Sequence, residues 1–263
     1  MKLKMITATI ANQKGGQAKT TVTAHLAHAA VDRGSRVLLI DMDRQGSLSL
    51  SFPPAEGAKP GLVASSLFSS QPLDQQPEII SDQLSIIRSD VLLEQLNGSV
   101  QDAAQRPKRH IKAFADQFDV CFIDTPGVIG FNPPMTIAAL VAADVVVCPF
   151  SIGKYEAASL ADLWAYLEQV KKPAYNPRLR VMGLLPSKIS KGKMIQDALS
   201  KIRKDLGPLV IPGMLAERAA VHQATMLGRP VWKNAKGEST SVAAKEWRSM
   251  CNYILDNLHG ISK

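Results

Sequence analysis

The sequence predicts an α/β fold, a mostly parallel twisted sheet flanked by helices. Three observations carry that expectation. Short β-branched and aliphatic runs alternate with longer segments of helical period. The runs are continuously apolar rather than alternating, as strands covered on both faces must be. Finally, 46% of the 263 residues are hydrophobic and 21% charged, which supplies a core and argues against disorder.

Met5 to Ile10 reads as the first strand. A helix follows from about Lys19, with Val22, Leu26, Ala29 and Ala30 on one face and Gly34 ending it. Val37 to Ile40 is the second strand, and Leu84 to Ile87, Val120 to Ile123, Val145 to Val147, Val181 to Leu185 and Leu209 to Ile211 are further candidates. The stretch 51–82 is rich in Pro, Ser, Gln and Gly and reads as loop, with one short helix around Leu62 to Phe68. Alternation resumes afterwards on the same pattern, so this stretch is expected to be an insertion within a single domain spanning 1–263. No helix-turn-helix precedes the first strand.

Composition excludes several classes. Cys121, Cys148 and Cys251 are odd in number and widely spaced, with no Cys-x-x-Cys pair for zinc, redox work or an iron-sulfur cluster. Reduced thiols in a cytoplasm fit best. The short apolar stretch after Met1 runs straight into Asn12-Gln13-Lys14, so no cleavable signal peptide is expected. No apolar run approaches the roughly 20 residues of a membrane span.

The sharpest feature is Lys14-Gly15-Gly16-Gln17-Ala18-Lys19-Thr20-Thr21, between a predicted strand and a predicted helix. A loop there turns backbone N–H groups and the positive helix end onto phosphate oxygens. Lys19 is placed to reach the β- and γ-phosphates and the Thr20 hydroxyl to ligate Mg²⁺. The common string G-x-x-x-x-G-K-[ST] is not met, because Gln13 and Ala18 hold its two glycine positions. Two downstream segments support the site. Leu38 to Asp43 ends a strand in the carboxylates Asp41 and Asp43, and Val120 to Gly127 ends another in Asp124-Thr125-Pro126-Gly127. Ligands of parallel sheets gather outside the carboxyl ends of strands, which sets these acids beside the phosphate loop.

The pattern K-G-G-x-x-K-[ST] resembles the deviant Walker A motif of the ParA/MinD family of ATPases. Asp41-Met42-Asp43-Arg44-Gln45-Gly46-Ser47 is similar to that family's D-x-D-P-Q-G-S/N, with Arg44 in the proline position, and Asp124-Thr125-Pro126 to its Walker B. The similarity continues through Ile86 to Asp90, Gly183 to Pro186 and Ile211-Pro212, and so covers nearly the whole chain. The resemblance implies a P-loop NTPase fold and a dimer in which two subunits sandwich two ATP molecules with Mg²⁺. It implies that Lys14 crosses to the other subunit's phosphates, Asp43 positions the attacking water, and Asp124 holds Mg²⁺ through water. Asp41 would support the magnesium shell or the opposite lysine, and Pro212 would contact adenine. Gln17 and Ala18 replace smaller residues, and a Cβ at position 18 is expected to cost about 1 kcal/mol if φ is positive there.

The net charge of +8 is not spread evenly. From Lys171 to Lys204 there are ten bases against the single acid Asp197, a net +9, while the rest of the chain has 21 bases against 22 acids. In a helix predicted over Lys193 to Leu206, Met194, Ile195, Ala198, Leu199 and Ile202 make the apolar face and leave Lys193, Lys201 and Lys204 outward. With Lys188, Lys191 and Arg203, these residues are the candidate contacts to DNA phosphates, non-specific in sequence. A MinD-like membrane anchor in the C-terminal helix, around Trp247, Met250, Cys251, Ile254, Leu255 and Leu258, lacks a dense lysine rim. That helix is expected to pack on the domain, with no membrane partner. His25 and His28, at i, i+3 spacing without an acidic or cysteine partner, are expected to be packing or surface residues. The function expected is a small ParA-like partition ATPase, cytoplasmic and nucleoid-associated, released from DNA by a ParB-like centromere-binding protein. The alternatives are an ATPase positioning another cargo or assisting conjugative transfer, and a weakly hydrolysing nucleotide-binding regulator.

Overall fold

The computed structural model describes residues 4–54, 56–96, 100–130, 134–153 and 156–260. In chain order its strands and helices are β1 (Ile6–Ile10), α1 (Lys19–Asp32), β2 (Val37–Asp41), α2 (Ser47–Ser51), β3 (Glu78–Ser81), β4 (Leu84–Ile87), α3 (Val100–Lys112), β5 (Val120–Asp124), α4 (Met135–Ala142), β6 (Val145–Phe150), α5 (Glu156–Val170), β7 (Arg180–Pro186), α6 (Lys193–Leu206), α7 (Ala219–Met226) and α8 (Glu238–Asp256). The sheet order is β3-β4-β2-β5-β1-β6-β7. Every neighbouring pair is parallel except β3 with β4.

Sequence reading and structure part at two places. Glu78–Ser81, inside the stretch read as loop, is the antiparallel edge strand β3, half exposed and bulged between Ile79 and Ser81. Conversely, Leu209 to Ile211 is not a strand. Leu209 ends a 3₁₀ turn, and Val210 makes one isolated bridge, to Leu184. Pro208 and Pro212 flank that segment and lack the N–H groups a longer ladder needs. The short helix expected around Leu62 to Phe68 is a 3₁₀ turn over Ala64–Phe68.

The central strands β1, β2, β5 and β6 are buried on both faces, so two cores form. Under one face Ile10, Leu39 and Phe122 pack on α1, α7 and α8; under the other Leu38, Ile40, Ile123 and Phe150 meet α3, α4 and α5. Helix α8 buries Trp247, Met250, Cys251 and Ile254, so its apolar side is spent inside the protein rather than offered to lipid. Among the described residues no helix is long and apolar enough to cross a membrane. Both histidines of α1 are packing groups. His25 accepts the Val231 N–H at Nε2 (3.2 Å) and donates from Nδ1 to the Thr21 carbonyl (2.8 Å), and His28 stacks on Phe52 at 5.1 Å. Burial pushes both imidazoles down to about 4, so they are neutral at pH 7.

Candidate nucleotide site

Three adjacent parallel strands bring the predicted site together. The phosphate loop follows β1, Asp41 ends β2, and Asp124 ends β5, directly opposite Asp41 in the ladder. The loop is fastened by side chains rather than by glycines. Asn12 donates to the Pro149 carbonyl (2.6 Å) and accepts the Lys14 N–H (3.0 Å), while Gln13 donates to the Ser159 carbonyl (2.6 Å). Gln17 is buried, its carbonyl oxygen accepting the Ser151 N–H. A small apolar residue in its place would leave that amide without this partner, which explains what the larger side chain does here.

Lys19 to Thr21 open α1 with N–H groups that have no intrahelical acceptor. Gly15 and Gly16 face open space, with nothing within 4 Å of where a Cβ would stand. Gly127 is different. A Cβ there would lie 2.8 Å from the Gly15 nitrogen and 2.9 Å from its Cα. Gly127→Ala is therefore expected to displace the loop and weaken nucleotide binding about tenfold or more, measured by equilibrium titration with a fluorescent nucleotide. Ala18 sits at φ 66° and ψ 19°, the left-handed region that favours glycine. Ala18→Gly is expected to raise stability by about 0.5–1 kcal/mol, the relieved strain exceeding the entropy glycine adds to the unfolded chain, as read by urea unfolding.

The Thr20 hydroxyl donates to Asp124 Oδ2 at 2.6 Å, and Thr23 reaches the other oxygen at 3.5 Å. Asp124 is fully buried. Burial first and the charge of Asp41 second push its carboxyl up to about 8, against the Thr20 hydrogen bond and Lys19. Burial also raises Asp41 to about 6, although Ser49 gives it two hydrogen bonds of 2.8 Å and the Asp43 N–H a third of 3.1 Å. That carboxylate thus holds the turn carrying Asp43. The Asp43 oxygens accept in turn: Oδ1 from the Gln45 N–H at 3.0 Å, and the main-chain carbonyl from the Ser89 hydroxyl at 2.6 Å. Lys19 donates from Nζ to the Lys14 carbonyl at 3.0 Å, and burial lowers its pKa against the pull of Asp124 and Asp43.

A cavity of about 640 Å³ opens over these groups, within the size range of small-molecule sites. Gly15 to Thr21, Asp43 and Gly127 line it, together with Leu50, His222, Thr225 and Met226. Lys188 lines it too, from a turn at φ 51° just after β7, so the structure sets this residue at the nucleotide cavity. Lys191, Lys193, Lys201, Arg203 and Lys204 lie exposed on or before α6, while Pro212 is exposed and outside the cavity lining. Gly127, Ser49 and Lys188, with Leu50, His222, Thr225 and Met226 of the cavity lining, are site residues that motif reading did not place at the nucleotide. For Gly127 the signal was its place three residues after Asp124; for Lys188 none existed, because charge alone assigned it to the basic segment.

A cavity of nucleotide size over a glycine loop at a helix start, with Thr20 and Asp124 oxygens beside it, defines a P-loop nucleotide-binding protein. Comparison with known proteins agrees. The AAA_31 family, described as an AAA domain, matches residues 4–181. Protein IncC of Escherichia coli is 30% identical over 259 residues, covering 97% of this chain and 70% of that protein. The chromosome-partitioning ATPase Soj of Thermus thermophilus is 27% identical, covering 97% of each chain. Among solved structures, the ATP complex of a Cyanothece McdA variant superposes with a TM-score of 0.80 at 21% identity, covering 97% of both chains, a likeness of fold. The chain belongs to the ParA/MinD family of ATPases.

Proposed function

We propose that the chain is an ATP-dependent DNA partition ATPase working as an ATP sandwich dimer, in the cytoplasm and on the nucleoid. The observation that carries this reading is the convergence of the phosphate loop, Asp43 and the Thr20–Asp124 pair at the carboxyl ends of β1, β2 and β5. ATP fits the cavity through the N–H groups of residues 15–21 and the Lys19 ammonium. The Thr20 hydroxyl, and Asp124 through water, would hold Mg²⁺; these hard oxygen donors are too few to hold an ion alone, as is usual where phosphates complete the shell. When bound, Mg²⁺ supplies charge that offsets the negative charge building on the transferred group. Lys19 exchanges its Lys14 carbonyl for phosphate oxygens, Asp43 orients the attacking water, and Lys14 brings a second cation from the facing subunit.

DNA would be held through phosphates by Lys191, Lys193, Lys201, Arg203 and Lys204, and a ParB-like protein would stimulate hydrolysis and release. Lys188 belongs in this reading to the nucleotide rather than to DNA, because it lines the cavity. Co-sedimentation with DNA is the test: ATP is expected to raise binding above the ADP and nucleotide-free states. Equal binding in all three sinks the switch.

A further inference from the structure

A second basic surface lies at the other end of the sheet. Helix α3 carries Arg106, Lys108, Arg109 and Lys112 within seven residues. Two adjoining cavities, of about 390 and 700 Å³, share Gln105, Lys108 and Lys112 in their walls. Lys4, just before β1, and Arg178, just before β7, line the first; Arg106 and Arg109 line the second. Six bases thus surround one continuous groove. Among the described residues Asp144 is the only acid lining either cavity, and it already accepts the Thr7 N–H at 2.8 Å.

The bases repel one another without full compensation. Burial, then Lys112 and, more weakly, Arg178 lower the pKa of Lys108, with Asp144 acting against them. Concentrated charge of this kind attracts a polyanion. On α3 the rise from Arg106 to Lys112 is about 9 Å, matching two to three phosphates at about 3.4 Å per step of one strand. The groove opens at the amino ends of β1, β6 and β7, whereas the nucleotide cavity opens at the carboxyl ends. A five-residue strand puts roughly 17 Å between them, and no residue lines both. The dimer proposed above, closing over the nucleotide face, would leave this pole exposed.

We propose that the α3 groove is a second site for the DNA phosphate backbone, engaged whether or not nucleotide is bound. It shares its ligand with the function proposed above but not its surface, since α6 contributes no residue to either cavity. The site adds a nucleotide-insensitive, salt-sensitive hold on which the ATP-dependent one is superimposed.

The test uses the full chain, a labelled duplex of random sequence and a salt series, without nucleotide and with ADP. Lys108→Gln/Arg109→Gln/Lys112→Gln is expected to lower affinity about tenfold or more at low salt and to flatten the log–log salt slope by about 2–3. Lys108→Arg/Lys112→Arg keeps the charge and is expected to keep binding, which controls for folding. The proposal is overturned if the parent chain does not bind the duplex without nucleotide at low salt, or if the triple variant matches the parent. It is equally overturned if the arginine variant loses as much as the triple variant. Binding to phosphatidylglycerol vesicles that disappears in the triple variant while duplex binding stays intact overturns it in favour of a membrane. The α6 variant Lys193→Gln/Lys201→Gln/Lys204→Gln separates the two readings: it is expected to remove the ATP-dependent increment and leave nucleotide-free binding in place.

Discussion

Asp124→Asn is expected to stabilise the ligand-free protein while sharply lowering ATP hydrolysis. Asp124 is fully buried, and burial together with Asp41 pushes its carboxyl up to about 8. An unfolded aspartate titrates near 3.9. The folded chain therefore binds more protons than the unfolded chain between these values, and stability falls as pH rises through that window, the loss being complete above the folded pKa. His25 and His28, held down to about 4, act in the opposite sense, but only below an unfolded histidine's value of about 6.5. Between about pH 6.5 and 8 the Asp124 contribution stands clear of theirs. For one proton the slope there is at most about 1.36 kcal/mol per pH unit, and it fades as the carboxyl ionises. Asparagine keeps an acceptor for the Thr20 hydroxyl and carries no charge, so its unfolding free energy should lack this slope. Urea unfolding in the presence of a chelator, over a pH series, measures both; parallel profiles for the two proteins would refute the argument. The same neutralisation strips the Mg²⁺ locus of its buried anion, and ATP turnover is expected to fall about a hundredfold or more. The strain that Asp124 imposes on the empty protein is relieved when cations arrive, which ties stability to the loaded state.

The strand-end acids were legible in the sequence because a parallel sheet leaves its ligands only one end to occupy, and strong apolar runs fixed where each strand stops. Edge elements were not. Glu-Ile-Ile-Ser at 78–81 is a short strand with only one hydrogen-bonded neighbour; its exposure alternates, but its residue types do not, because the inward position 78 is a glutamate and the exposed position 79 an isoleucine. Leu209 to Ile211 looked like a strand by composition, yet a Cβ at Gly183 would stand 2.7 Å from the Leu209 carbonyl, so the segment crosses β7 closely and pairs at one residue. Ala18 illustrates the reverse case. Its position relative to Lys19 announced a glycine site, and the positive φ confirms that the loop geometry is kept at the expense of the residue. Charge was the least legible quantity. Summed outside 171–204 the chain is nearly neutral, an average in which the four bases of α3 vanish, and Lys188 was grouped by proximity in sequence with residues that point elsewhere.

Lys14→Ala and Lys19→Ala are expected to fail in different ways, and the contrast tests the dimer. Lys19 is buried at the start of α1 and lines the nucleotide cavity, so its loss should abolish ATP binding. Lys14 shapes the loop through main-chain atoms, its carbonyl accepting from Lys19 and its N–H donating to Asn12. Those bonds survive substitution by alanine. Its side chain is not among those lining its own chain's cavity, while every residue from Gly15 to Thr21 is. Affinity of the single chain for ATP should therefore change by no more than about threefold, an energy below 1 kcal/mol. Turnover should drop about 10³-fold or more, the loss seen when a cation supplied in trans to a transferring phosphoryl group is removed. ATP-dependent dimerisation, followed by sedimentation velocity, should disappear with it. A mixture gives the sharper result. In a hybrid of a Lys14→Ala chain with an Asp43→Ala chain, one site combines the first chain's Asp43 with the second chain's Lys14, so mixing two inactive proteins should restore turnover. If mixing restores nothing, or if Lys14→Ala loses ATP affinity as severely as Lys19→Ala, the lysine acts within its own chain and the sandwich arrangement is wrong.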